Sequence, residues 1–152
     1  MSDANEAVTA RFWDEVWNKR DLGVLEELFH PDFVLHLAGV SFSGIGAMRS
    51  SFSTQWLEPF PDLAVSTVVA FSHDDLVAES LVFTGTHSGT AFHPGLFQAR
   101  GLAAIPASGA AIEFTQTCLT RVADRRIVEM WEDFDRVRLF LQLGVGLEVP
   151  SS

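Results

Sequence analysis

The sequence predicts an α+β fold in which helices cover one face of a largely antiparallel, curved sheet. Three observations carry this. Apolar residues recur every three or four positions through most of the first 60 residues, and every second position from residue 63 to residue 134. The resulting order is helix, helix, strand, helix, then four strands and a closing helix, which segregates the two kinds of element. A chain of 152 residues suits one domain over 1–152, since folding at this length hides roughly two thirds of the unfolded surface in a single core.

In "EAVTARFWDEVWNKR", Val8, Phe12 and Val16 fall four apart, and Trp13 with Trp17 widens the stripe into an amphipathic helix ending near Asn18. "DLGVLEELFH" sets Asp21 as an N-cap before Leu22, Leu25, Leu28 and Phe29, and Pro31 stops this second helix. "DFVLHLAG" is a strand candidate. "SGIGAMRSSFSTQWLEPFPD" returns to helical spacing through Met48, Phe52 and Trp56, until Pro59 and Pro61 break it. Period two then runs through "LAVSTVVAF", "LVAESLVFTGT", "AIEFTQTCLTRV" and "IVEMWEDF", and "RVRLFLQLG" closes as a short helix stopped by Gly144. One connection is long: residues 88–110 hold four glycines and two prolines. With apolar Phe92, Leu96 and Phe97, this loop is a candidate mobile cover for a pocket.

Composition narrows the function. Hydrophobic residues make up 47% of the chain, with 13 Phe and 4 Trp but no Tyr, so large rings without hydroxyls must be buried or line something apolar. The formal charge of −10 repels phosphate backbones and anionic lipid heads, so neither nucleic acid nor a membrane surface is an expected partner. A lone cysteine, Cys118, supports neither an internal disulfide nor a multi-cysteine zinc site, and with no membrane span or signal segment in view the expected location is the cytoplasm.

Four carboxylates crowd "IVEMWEDFD". On a strand, Val128, Met130, Glu132 and Phe134 share one face, and Glu129, Trp131 and Asp133 the other. Glu132 is thus the one carboxyl in an apolar row, where desolvation raises its pKa toward neutrality and suits it to carry a proton. The preceding strand repeats the contrast, with Ile112, Phe114, Gln116, Cys118, Thr120 and Val122 on one face, so the two rows are expected to line one interior. The alternative for Glu132 is a structural bond to a buried backbone group or to Arg121. Asp135, at the strand end before "RVRLFLQ", reads as a helix N-cap. His36 between Leu35 and Leu37, and His87 after "FTGT", are the histidines that could point inward. His36, His87, His93 and Glu132 lack any recognised metal-ligand spacing, and no phosphate-binding or dinucleotide fingerprint is present, so neither metal nor cofactor is expected.

Four stretches taken in order, "HPDFV", "FPDL", "FTGTHSG" and "RIVEMWEDFDRVRLFLQLG", resemble the SnoaL-like polyketide cyclase family. The resemblance covers nearly the whole chain and implies the cone-shaped α+β fold shared with nuclear transport factor two and ketosteroid isomerase, a deep apolar pocket between helices and sheet, and a dimer. It also implies that the carboxylate one residue after the last-strand Trp, here Glu132, is the general acid/base. The histidine that the antibiotic cyclases carry three residues before an arginine corresponds to Cys118, and His93 or Arg100 on the long loop are candidates to replace it.

Together these lead to an enzyme that moves a proton at carbon on a hydrophobic carbonyl compound, by cyclisation or isomerisation. Glu132 is the expected acid/base, and His87 or His36 the group that polarises an oxygen. Trp17, Met48, Phe52, Trp56, Gln116, Cys118, Met130 and Phe134 are expected to line the substrate pocket. The rivals are epoxide hydrolysis, with Gln116 beside Glu132, and a ligand-binding or dimerisation domain without turnover. A homodimer is expected through the outer sheet face bearing Thr115, Thr117, Glu129 and Trp131.

Overall fold

A computed structural model of the protein describes residues 2–37 and 40–151, so the last two residues of the expected "DFVLHLAG" strand, Ala38 and Gly39, lie outside the described residues. Strands β1 (Phe29–Leu37), β2 (Val40–Ser43), β3 (Ala64–His73), β4 (Leu76–Thr86), β5 (Ala111–Ala123) and β6 (Arg126–Phe134) form one sheet in the order β2-β1-β6-β5-β4-β3. Every pairing is antiparallel except β1 with β6, which is parallel. Register breaks between Phe29 and Val34, Thr67 and Val69, and Arg121 and Val122 add twist, and the sheet curves without closing.

The helices lie against its concave face. Helix α1 (Ser2–Arg11) runs on as a wider π-helix through Phe12–Asn18. A short 3₁₀ turn leads into α2 (Leu25–Leu28), and α3 (Ile45–Ser51) also continues as a π-helix, through Phe52–Leu57. In both π segments the closing N–H reaches five residues back, from Lys19 to Asp14 and from Glu58 to Ser53, each at 2.9 Å. The four-residue apolar spacing fits either coil and does not announce the widening. Its effect is to keep Phe12, Trp13, Val16 and Trp17 on one buried side.

One boundary differs from the expected one. Helix α2 ends at Leu28, and β1 begins at Phe29, so Pro31 lies inside a strand rather than after a helix. It falls in the register break between Phe29 and Val34, where no ladder donor is required. Asp21 accepts from Gly23 N–H at 3.0 Å, and Asp135 caps α5 (Arg136–Gln142) by accepting from Arg138 N–H at 2.9 Å.

The long connection is more structured than a bare loop. Phe92 and Ile105 exchange two backbone hydrogen bonds of 2.8 Å and are both buried, while α4 (Gly95–Ala99) between them sets Phe97 against Phe140 of α5 at 5.3 Å. Its start is docked through backbone, since Gly89 N–H bonds Pro59 O at 3.0 Å and Thr90 N–H bonds Glu58 O at 3.2 Å. A Cβ on Gly89 would stand 1.8 Å from Glu58 O, which no side-chain adjustment can relieve. Gly89→Ala should therefore destabilise the fold by roughly 1–3 kcal/mol or more, as overpacking against rigid neighbours does. Thermal denaturation would measure this, and an unchanged midpoint would mean that the docking is loose.

Candidate functional site

Pairing across the sheet sets the site. Glu132 on β6 stands opposite Leu37 of β1 and Cys118 of β5, and all three belong to the concave face. The helices complete an inner chamber above this row. Trp17, Phe52 and Trp56 come from the two π segments and Met48 from α3, while Leu35, Phe83, Phe114, Gln116 and Phe134 come from the sheet. Its volume is about 30 Å³, room for one or two water molecules. Leu37, Phe42, Ser51, Trp56 and Phe134 also border a larger outer chamber of about 300 Å³, roofed by Phe92, Leu96 and Ala99 of the long connection and walled by Arg136 and Phe140.

Glu132 is 7% exposed, and its Oε1 has no hydrogen-bond partner among the described residues. Burial among apolar groups pushes its carboxyl up to about 7, with the Gln116 amide acting in the opposite sense. Arg121, its expected structural partner, turns to the outer face and pairs with Glu129 at 3.0 Å and Asp75 at 3.1 Å. The Trp17 indole, on the same chamber wall, has a buried Nε1–H that likewise lacks a partner.

A second buried carboxyl escaped the sequence reading. Glu79 of β4 is aligned with Cys118, so Glu79, Cys118 and Glu132 form one row across three strands. Trp13 Nε1–H donates to Glu79 at 2.7 Å and Thr9 Oγ1–H at 2.9 Å, and burial outweighs these bonds in raising its pKa. Between the two carboxyls, the Cys118 thiol is pushed well above the ordinary thiol range, by burial first and then by Glu132. It is a neutral thiol beneath the chamber. Leu81 and Phe83 alternate with Glu79 along β4 and are likewise buried, so strand parity turns all three inward.

The expected residues divide. Trp17, Met48, Phe52, Trp56, Gln116 and Phe134 line the inner chamber with Glu132. Cys118 and Met130 are buried on the same face but do not line either chamber. His36 is a correction: Leu35 and Leu37 take the concave face, so the residue between them points outward, where it stacks on Trp131 at 5.3 Å and bonds Glu129 at 2.9 Å. His87 is a second one. It is fully buried but one residue beyond β4, with Nε2–H donating to Thr90 O at 3.0 Å and its ring against Phe60 at 5.0 Å, and neither chamber includes it. His93 bonds Leu102 O at 3.0 Å, Arg100 is exposed, and neither borders a chamber. Among the described residues no three His, Cys, Asp or Glu side chains gather as a metal would require, and no helix is long and apolar enough to cross a membrane.

Residues 7–143 match the model of the SnoaL-like polyketide cyclases. The chain belongs to that family. IdmH of Streptomyces antibioticus, a candidate polyketide cyclase, is 29% identical over 93% of this chain and 99% of its own, with a TM-score of 0.74. A SnoaL-like protein of Jannaschia is 21% identical over 96% of this chain and 95% of its own, with a TM-score of 0.79. AclR of Streptomyces galilaeus, a candidate hydroxylase, is 23% identical over 96% of this chain and 84% of its own, with a TM-score of 0.75. The latter two likenesses are of fold alone. Among curated proteins none matches the chain.

The raised Glu132 carboxyl has a consequence for stability. A carboxyl near 7 in the fold and near 4.3 unfolded favours the native state most when protonated, so that contribution is present below the unfolded value and lost as pH rises through 7. Wild-type stability should fall between about pH 4.5 and 7 more steeply than that of Glu132→Gln. Denaturant titrations across this range would check it, and parallel curves would mean that Glu132 ionises freely.

Proposed function

We propose that this protein is an acid/base enzyme of its family, working without a cofactor, that moves a proton at carbon beside a carbonyl of a hydrophobic substrate, as in polyketide cyclisation or isomerisation. The observation that supports this is one buried carboxyl, with an unpartnered oxygen and a pKa of about 7, on the wall of an apolar chamber.

In this reading the Glu132 carboxylate removes a proton from the carbon next to the carbonyl, and the electron pair moves to the carbonyl oxygen as an enolate. The Trp17 Nε1–H and the Gln116 amide, both on the chamber wall, are the donors that stabilise that oxygen. In this reading they take the oxygen-polarising role that was expected of His87 or His36. In a cyclisation, the enolate carbon attacks a second carbonyl of the same molecule, and the new alkoxide takes the proton back from Glu132. A second reading, epoxide opening by water that Glu132 and Gln116 activate, draws on an inner chamber that fits one or two waters. Binding without turnover is weakened as a rival because Arg121 is committed to Glu129 and Asp75.

Incubation with an aromatic 3-oxo ester in D2O, read by NMR, tests the proposal. Exchange at the carbon between the two carbonyls should rise with pH through about 7, where Glu132 ionises, and Glu132→Gln should slow it on the order of a hundredfold to ten-thousandfold. Exchange unaffected by that substitution rejects Glu132, and solvent oxygen appearing in an epoxide-derived diol favours the hydrolytic reading.

The proposal includes a homodimer through the convex sheet face. Phe71, Ala78, Leu119 and Trp131 form one row across four strands there, with Phe71 63% exposed. Sedimentation should give a dimer for the wild type at micromolar concentration and a monomer for Leu119→Arg. A monomeric wild type would remove the dimer from the proposal.

A further inference from the structure

The outer chamber contains a cation that the packing leaves unused. Of the ten basic residues, Arg11, Lys19, Arg49, Arg121 and Arg138 are in ion pairs, and Arg20 donates to four backbone carbonyls. Arg100, Arg125 and Arg126 are exposed to water. Arg136 alone is half-buried with no hydrogen bond or ion pair among the described residues, and it borders an otherwise largely apolar cavity with Phe92, Leu96 and Phe140.

Its position is specific. The guanidinium lies over the Phe134 ring at 4.9 Å, and Phe134 borders both chambers, so the charge is one ring from the inner chamber that Glu132 lines. Here burial lowers the pKa of the group, with nearby Asp133 acting in the opposite sense. This half-buried guanidinium has no bonded anion among the described residues, and it offers a carboxylate two parallel N–H donors.

We propose that the substrate is an anionic apolar compound, whose acidic group pairs with Arg136 in the outer chamber while a smaller carbonyl-bearing end reaches Glu132. This rests on the proposed function for its reactive end and adds the substrate's charge. The protein's net charge of −10 repels anions at long range, so a preference for one must come from a local cation.

Equilibrium binding of 2-naphthoate and of methyl 2-naphthoate, followed by the fluorescence of Trp17 and Trp56 or by calorimetry, separates charge from shape. The wild type should bind the carboxylate about ten- to a hundredfold more tightly than the neutral ester, the range of a charge-assisted hydrogen bond. Arg136→Gln should erase the preference. Arg136→Lys should keep part of it, because a point charge replaces a two-pronged donor. Equal affinities in the wild type, no binding of either probe, or a preference that survives Arg136→Gln would each overturn the proposal. Glu132→Gln should preserve the preference. Loss of carbon exchange with the preference intact, or the reverse, therefore tells apart a failure of the proton carrier and a failure of the anion site.

Discussion

Aromatic packing without hydroxyls is the constraint on which the interior depends. Phe83 and Phe114 stack at 5.1 Å with nearly parallel rings, and Trp17 at 5.5 Å, Trp56 at 5.8 Å and Phe134 at 5.5 Å extend the wall around them. With no tyrosine in the chain, these rings offer almost no polar atoms, and any polar group placed among them keeps its full desolvation cost. That is why one carboxyl acquires a pKa so far from its ordinary range. Glu79, equally buried, is answered by Thr9 and Trp13. Glu132 is left open to whatever enters.

The two π segments matter for the same reason. Each follows an ordinary helical stretch and each delivers bulky rings to the chamber, Trp17 from the first, Phe52 and Trp56 from the second. Coils of this kind often mark working sites because they trade regular hydrogen bonding for the placement of particular side chains.

Much of this was legible in the sequence, and the failures have physical causes. The change from helical to strand period gives the α+β class, and alternation on β5 and β6 gives the shared inner face of Gln116, Cys118 and Glu132. Alternation also argued against His36, since neighbours of inward-facing leucines on a strand face outward. His87 lies just past the strand, where parity stops having meaning. Arg136 could not be foreseen, because its place follows from the Asp135 cap turning the chain at the end of β6. The parallel seam between β1 and β6 leaves no mark in either strand's own pattern.

That seam sets the order in which the molecule can assemble. Strands β3 to β6 join antiparallel neighbours in sequence, whereas Leu37 and Glu132, partners across the seam, are 95 positions apart. Closing a fully flexible loop of that length would cost about 4 kcal/mol in chain entropy before any constant term, and prior pairing of β3 to β6 lowers that cost by shortening the free chain. It must be met when few seam contacts yet exist, so the joint is a slow step for a chain rich in local hairpins. Until it forms, β1 has only the short β2 beside it, and the pocket has no far wall. The chamber is thus a late product of folding, absent from any partly folded state that lacks the seam.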